Sequence, residues 1–286
     1  MTYFNLSALV LLSLQGAPAP RQVTFESQGV TLAGEITYPA GQEPFPAVAL
    51  VHGSGPATRA DNAPLVTLFR DLGFVVLAYD KRGTGASGGA YRGVGVRNSD
   101  SMIALLGADA AAAARLLAGD PRVDATRIGL AGGSQAGWVI AAALSSAPIR
   151  FFVALSGPAV SVGEEMYFSR YFEETDRPLG QVDSIMALFE GATGYDPLDD
   201  LRRSGAVGFY VLGGLDRSVP TSRSVTRLHQ LDSTAGHRFT VLLLPTGNHG
   251  LFDARSGAPL PFGSELVAWL HRVGVGTRVR DAPSAP

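Results

Sequence analysis

The chain has 286 residues, 46% of them hydrophobic and 17% charged, with a formal net charge of −2. That is enough apolar material for one large domain or two small ones with a substantial core. A charge so near zero gives no footprint for nucleic acid or an anionic membrane. There is no cysteine, which excludes disulfides, thiolate metal sites, redox pairs and cysteine nucleophiles. Lys81 is the only lysine, against 22 arginines, so Schiff-base chemistry would have to run through it. Glycine and proline are plentiful but scattered between apolar runs, a globular composition. Covalent catalysis, Lys81 aside, is thereby narrowed towards serine, threonine or a carboxylate.

Leu6 to Leu14 form an apolar run too short to span a bilayer. It resembles the apolar region of a secretory signal, with Ala17-Pro18-Ala19 as a small-residue cleavage site. No Arg or Lys precedes the run and Pro20 follows the cut, both of which count against export. A secreted or periplasmic protein and a cytoplasmic one with a frayed N-terminus both stay open. Residues 1–20 are set apart on this reading, and 21–286 form one domain. No later segment reads as transmembrane.

From Gln22 strands and helices alternate. Gln22–Glu26 and Val30–Tyr38 flank Gln28-Gly29 and read as an opening hairpin. Ala47–Val51 is a short continuous apolar strand, of the kind buried on both faces of a parallel sheet. Asn62–Leu72 has helical spacing and stops at Gly73, a favoured helix-ending residue. Phe74–Tyr79 is the next strand, and the alanine-rich stretch Asp100–Ala118 the next helix. Strand Arg127–Ala131, helix Gln135–Ser146 and strand Ile149–Leu155 follow. Val207–Leu212, Thr221–Leu231, Phe239–Leu244 and Phe262–Val273 then continue the alternation. Repeated βα units predict an α/β fold: about eight mostly parallel strands flanked by helices, the first pair antiparallel. Residues 158–205 interrupt the rhythm and read as a short lid insertion rather than an independent domain.

The strongest chemical feature is Ile128-Gly129-Leu130-Ala131-Gly132-Gly133-Ser134-Gln135-Ala136-Gly137-Trp138. An apolar strand runs into small residues around one serine and then into a helix, a turn that projects the hydroxyl from the sheet end. The pattern is Gly-x-Ser-x-Gly with Ala136 in place of the second glycine, a mild departure because alanine stays small. Such a serine needs a base, and the base needs a group to orient it. Among five histidines, His229, His237 and His271 read as solvated, and His52 as structural. His249 sits in Thr246-Gly247-Asn248-His249-Gly250, at the C-terminal end of strand Phe239–Leu244 and on the edge that carries Ser134. It is the expected general base. Asp216, in the loop after Val207–Leu212, is the expected orienting carboxylate. Asp199 and Asp200 precede a strand, and Asp253 suits local loop structure.

The order Ser134, Asp216, His249 is that of the α/β-hydrolase superfamily, which nearly the whole chain after residue 22 resembles. Val51-His52-Gly53-Ser54-Gly55-Pro56 resembles the family's oxyanion loop. By that resemblance the Ser54 and Gln135 N–H groups hold the developing oxyanion. Asp80-Lys81-Arg82-Gly83-Thr84-Gly85-Ala86-Ser87 resembles the superfamily's Asp-x-Arg-Gly-x-Gly-x-Ser turn, so Asp80, Lys81 and Arg82 read as structural. Its Gly83-x-Gly85 lacks the following Gly-Lys-Ser/Thr of a phosphate loop. Together with Leu155-Ser-Gly-Pro-Ala159, these marks are most similar to a bacterial branch of serine esterases and acyl-peptidase-like hydrolases.

The resemblance implies a serine hydrolase of carboxylic esters that needs no metal or organic cofactor. Its substrate is a small acyl ester or a short peptide. The alternative is an aminopeptidase or oligopeptidase, with Glu173 or Glu174 holding a substrate amine. A thioesterase finds no basic cluster for a nucleotide moiety, and dehalogenase chemistry would need aspartate at the elbow. A non-catalytic scaffold would ordinarily lack a triad member. In the lid Tyr167, Tyr171 and Phe172, with Phe168, Met186 and Phe189, read either as a substrate pocket or as the core that attaches the lid.

Overall fold

Seven consecutive residues, Phe45–Val51, are all buried, which places this strand at the centre of a sheet covered on both faces. The computed structural model describes residues 18–173, 179–236 and 238–276. Residues 1–17, which hold most of the signal-like segment, lie outside the described residues, as does Glu174.

The strands are β1 (Arg21–Ser27), β2 (Val30–Thr37), β3 (Phe45–Val51), β4 (Val75–Tyr79), β5 (Val123–Gly133), β6 (Phe151–Leu155), β7 (Val207–Gly213) and β8 (Phe239–Leu244). They form one sheet in the order β1-β2-β4-β3-β5-β6-β7-β8. β2 is antiparallel to both β1 and β4, and every other pairing is parallel. The expected opening hairpin and parallel body are therefore present. β5 begins at Val123, four residues before the expected start, because Val123 already pairs with Phe45 ahead of a register shift.

The helices are α1 (Ala63–Asp71), α2 (Ser99–Ala118), α3 (Ala136–Ala143), α4 (Val162–Glu173), α5 (Val182–Met186), α6 (Leu198–Arg203), α7 (Thr221–Ala235) and α8 (Gly263–Arg272). Side chains alternate across β3. Ala47, Ala49 and Val51 join the core under α2, α3 and α7, while Val48 and Leu50 join the core under α1 and α8. α2 is buried over most of its circumference: Ala110 to Ala114 all lie in the first core, while Asp100, Ser101, Ala104 and Arg115 are exposed. Its length and hydropathy match a membrane span, yet the small side chains serve close packing, since a Cβ on Gly107 would sit 2.9 Å from Ala142 Cβ. α1 stops as expected, with Gly73 at φ +84° in the left-handed conformation that ends helices.

The insertion between β6 and β7 carries α4, a 3-10 turn (Leu179–Gln181), α5 and α6. Phe168, Phe172, Ile185 and Met186 form its own small core. α6 is different: Leu201 packs into the main core, so this end of the insertion is part of the body. Glu164 of α4 accepts bonds from Ser161 and pairs with Arg223 and Arg227 of α7. Burial pushes its carboxyl pKa up, but those bonds and cations outweigh it and hold it below the usual range.

Candidate active site

All loops that follow β3, β4, β5, β6, β7 and β8 emerge at one edge, because these strands are parallel. Ser134 immediately follows β5 and adopts φ +56°, left-handed although it is not glycine. That conformation is disfavoured for a side-chain-bearing residue and is held here from both sides. The Ser134 N–H donates to the Leu155 carbonyl at 2.9 Å, and Gly137 N–H donates to the Ser134 carbonyl at 2.9 Å. The neighbours must be small. A Cβ on Gly132 would overlap the Val51 carbonyl and lie 2.6 Å from Ala136 Cβ, and one on Gly137 would lie 2.9 Å from Gly157 Cα. Gly137 is thus confined on the C-terminal side of the serine, and Ala136, itself fully buried, lies against Gly132.

Asp216 follows β7, and its side chain is fully buried. One carboxylate oxygen accepts the N–H groups of Ser218 at 2.8 Å and Val219 at 2.9 Å. The other lies 2.8 Å from His249 Nδ1. The His249 loop is fixed by its backbone: the Ser156 hydroxyl donates to the His249 carbonyl at 2.7 Å, and Asn248 Oδ1 accepts the Gly250 and Phe252 N–H groups. The imidazole itself remains partly exposed, so its far side is open to solvent. Ser134, Asp216 and His249 therefore stand on three loops of one edge, with the carboxylate and the imidazole in direct contact.

The remaining acids and histidines are engaged elsewhere or solvated. Asp199 pairs with Arg202, and Asp200 accepts bonds from Tyr195 and Arg203. Asp253 caps its own loop through Arg255 and Ser256 N–H groups, and hydrogen bonds from Thr246 and Ser256 hold its pKa well below the carboxylate range. His229 and His271 are exposed, and His237 lies outside the described residues. His52 is buried edge-on against Tyr79. Desolvation, then the nearby Lys81 charge, lowers its pKa to about 4, so it is neutral at pH 7. Among the described residues no three His, Asp or Glu side chains gather in a metal-binding arrangement.

The loop after β3 presses on the serine turn, since a Cβ built on Gly53 would be 3.7 Å from Ser134 Cβ. Ser54 follows and is exposed. Gln135 is buried, and its Oε1 accepts the Tyr91 hydroxyl at 3.2 Å. In the turn after β4, Asp80 binds Arg59 and the Ala86 N–H, and Arg82 makes a buried pair with Asp109 at 2.5 Å. Lys81 behaves differently. Its Nζ donates to the Gly53 carbonyl at 2.8 Å and the Gly55 carbonyl at 2.9 Å. The sequence shows Lys81 only as part of a supporting turn, while the structure joins it to the candidate oxyanion loop.

In the lid, Phe172 has no exposed surface and packs 4.6 Å from Phe168, ring centre to ring centre. Of its two expected readings, substrate pocket or lid core, its burial fits the core and not the pocket. Tyr167 and Tyr171 are half-buried around that core. Arg217, the residue after Asp216, donates twice to the Phe172 carbonyl, at 2.6 and 3.0 Å. This link between lid and acid loop has no sequence signal, because it is made to a backbone oxygen.

The parallel sheet, the strained serine at a strand-to-helix turn and the Asp216–His249 pair define an α/β-hydrolase of the serine hydrolase class. A sequence profile of the prolyl oligopeptidase family matches residues 63–273. The chain belongs to that family. It is 26% identical over 215 residues to the probable dipeptidyl-aminopeptidase B of Arthroderma gypseum, covering 73% of this chain and 22% of that one. It is 42% identical over 69 residues to esterase EstD of Thermotoga maritima, covering 21% of this chain and 17% of that one. The matched region is thus about a fifth of either relative. Among solved structures, esterase Pf2001 of Pyrococcus furiosus superposes with a TM-score of 0.66 at 21% identity, over 89% of this chain and 91% of that one. Esterase 2 of Thermogutta terrifontis gives 0.65 at 18% identity, over 93% and 97% of the two chains.

Proposed function

We propose that the protein hydrolyses carboxylic esters through an acyl-enzyme on Ser134. The observation that carries this reading is the contact of His249 Nδ1 with buried Asp216, on the edge where Ser134 is held left-handed. Asp216 fixes the tautomer that leaves Nε2 of His249 as the base. His249 takes the Ser134 proton as the hydroxyl attacks the acyl carbonyl. The N–H groups of Ser54 and Gln135 stabilise the tetrahedral oxyanion, each donor contributing about 3 kcal/mol. His249 then protonates the leaving alcohol, and water repeats the sequence on the acyl-enzyme. Tyr167 and Tyr171 line the lid side of the acyl site.

Membership of the prolyl oligopeptidase family favours a second reading, amide hydrolysis of short peptides by the same groups. A lid carboxylate would then hold the substrate amine. Glu164 is already committed to Arg223 and Arg227, which leaves that task to other residues. Parallel assays with short p-nitrophenyl esters and aminoacyl anilides, on the full chain and its Ser134→Ala variant, test both readings. Ester turnover far above anilide turnover, lost in Ser134→Ala, is expected. Anilide turnover of similar or greater efficiency would replace the first reading with the second.

A further inference from the structure

We propose that Lys81 is a positioning residue for transition-state stabilisation: its ammonium holds the Gly53–Ser54 peptide with the Ser54 N–H turned toward Ser134. The inference rests on the serine-hydrolase reading and deepens it. In a trans peptide the carbonyl and the following N–H point in opposite directions. An ammonium on the Gly53 carbonyl therefore fixes where the Ser54 N–H points. The second bond, to the Gly55 carbonyl, clamps the chain two residues on, so Ser54 is held between two anchored peptides. Gly55 itself is left-handed at φ +77°, a loop conformation with little rigidity of its own. Donation to a carbonyl also polarises the peptide and strengthens its N–H as a donor.

The third donor of the ammonium faces the Tyr91 ring, with Nζ 3.7 Å from its centre. The Tyr91 hydroxyl in turn bonds Gln135, the residue of the other candidate donor. One side chain thus connects both halves of the candidate oxyanion hole. The residue type fits the task. An ammonium is a compact donor with three rotatable N–H groups, whereas a guanidinium is a planar fork. Every other basic residue apart from histidine in this chain is arginine, and lysine appears once, where two carbonyls and an aromatic face converge. The ion is buried at 2% exposure and is stabilised by dipoles and a ring rather than by a carboxylate. The charged and titratable groups around it are otherwise engaged: Asp80 with Arg59, Arg82 with Asp109, and His52 neutral. Burial lowers the Lys81 pKa to about 8, so its charge can be lost within the assay range.

The test compares Lys81→Met, which keeps the length of the side chain, with Lys81→Cys carrying either an S-aminoethyl or a neutral S-propyl group. The natural chain has no cysteine, so alkylation is confined to position 81. With a p-nitrophenyl ester, Lys81→Met is expected to lose about 10- to 100-fold in kcat, less than deletion of an oxyanion donor, with KM changed by less than about threefold. The S-aminoethyl form should recover most of kcat and the S-propyl form should not. Because the aminoethyl ammonium is more acidic than that of lysine, the alkaline limb of its kcat profile should move to lower pH. Retention of wild-type kcat by Lys81→Met, or equal recovery by S-propyl and S-aminoethyl, would overturn the proposal. If Lys81→Met does not fold, the two alkylated forms decide. Full turnover in Ser134→Ala would instead overturn the serine-hydrolase reading and this inference with it. Its loss in Ser134→Ala, beside an unchanged Lys81→Met, overturns this inference alone.

Discussion

Asp216 divides its two carboxylate oxygens between its own loop and His249: one accepts the N–H groups of Ser218 and Val219, and the other lies 2.8 Å from His249 Nδ1. The backbone bonds fix the carboxylate plane, so the second oxygen is aimed before any substrate arrives. Asp216→Asn keeps the shape and the backbone bonds but presents an amide where the imidazole N–H needs an acceptor. We expect kcat for ester hydrolysis to fall about 10⁴-fold, from stabilisation of the wrong tautomer. The melting temperature should move little. Steady-state kinetics and thermal melting check both halves.

The serine turn depends on backbone proximity rather than on side-chain bonds. Gly132→Ala would drive a methyl into the Val51 carbonyl and onto Ala136. Overpacking at the buried position where Gly132 of β5 pairs with Val51 of β3 should cost about 1–3 kcal/mol of stability. Activity should fall as well, since the shift is transmitted directly to Ser134. Denaturant unfolding measures the first effect and ester turnover the second.

The lid is tied to the acid loop by the two bonds from Arg217 to the Phe172 carbonyl. Hydrogen bonds to a charged donor contribute about 1.5–3 kcal/mol. Arg217→Met should therefore raise local opening of the lid, and proteolytic nicking within α4–α5 should accelerate by about tenfold or more. Limited proteolysis followed by mass spectrometry reads this directly. An unchanged cleavage rate would show that the lid is held elsewhere.

His52 gives the acid limb of stability. Its folded pKa of about 4 lies below the ordinary 6.5, so the unfolded chain binds more protons between those values. Stability from this group is complete above pH 6.5 and is lost as pH falls toward 4, by about 3 kcal/mol in all. His52→Asn should flatten the fall of melting temperature between pH 6.5 and 4 relative to wild type. An identical slope in both proteins would contradict the assignment.

The βα rhythm and the serine turn were legible because they are local: Ala47–Val51 is continuously apolar, and Gly132 to Gly137 is a run of small residues around one hydroxyl. The placement of His249 and Asp216 on the edge of Ser134 was legible through topology, since a parallel sheet brings successive strand-end loops to one edge. What stayed hidden depends on backbone acceptors distant in sequence. The bonds from Lys81 to Gly53 and Gly55, and from Arg217 to Phe172, reach carbonyls that every residue possesses. The lid aromatics were ambiguous because a buried Phe172 and a substrate-facing one have the same spacing along a helix. Only the packing of Phe172 against Phe168 decides. The single lysine was the one available signal for Lys81, and composition alone gave it no address.

Ser134 as the nucleophile is the centre of the proposed mechanism. Reaction of the full chain with a fluorophosphonate probe, followed by peptide mapping, tests this most directly. One probe molecule per chain on Ser134, with labelling and ester turnover both lost in Ser134→Ala, is the expected result. Labelling that persists in Ser134→Ala, or ester turnover that survives it, would contradict Ser134 as the nucleophile.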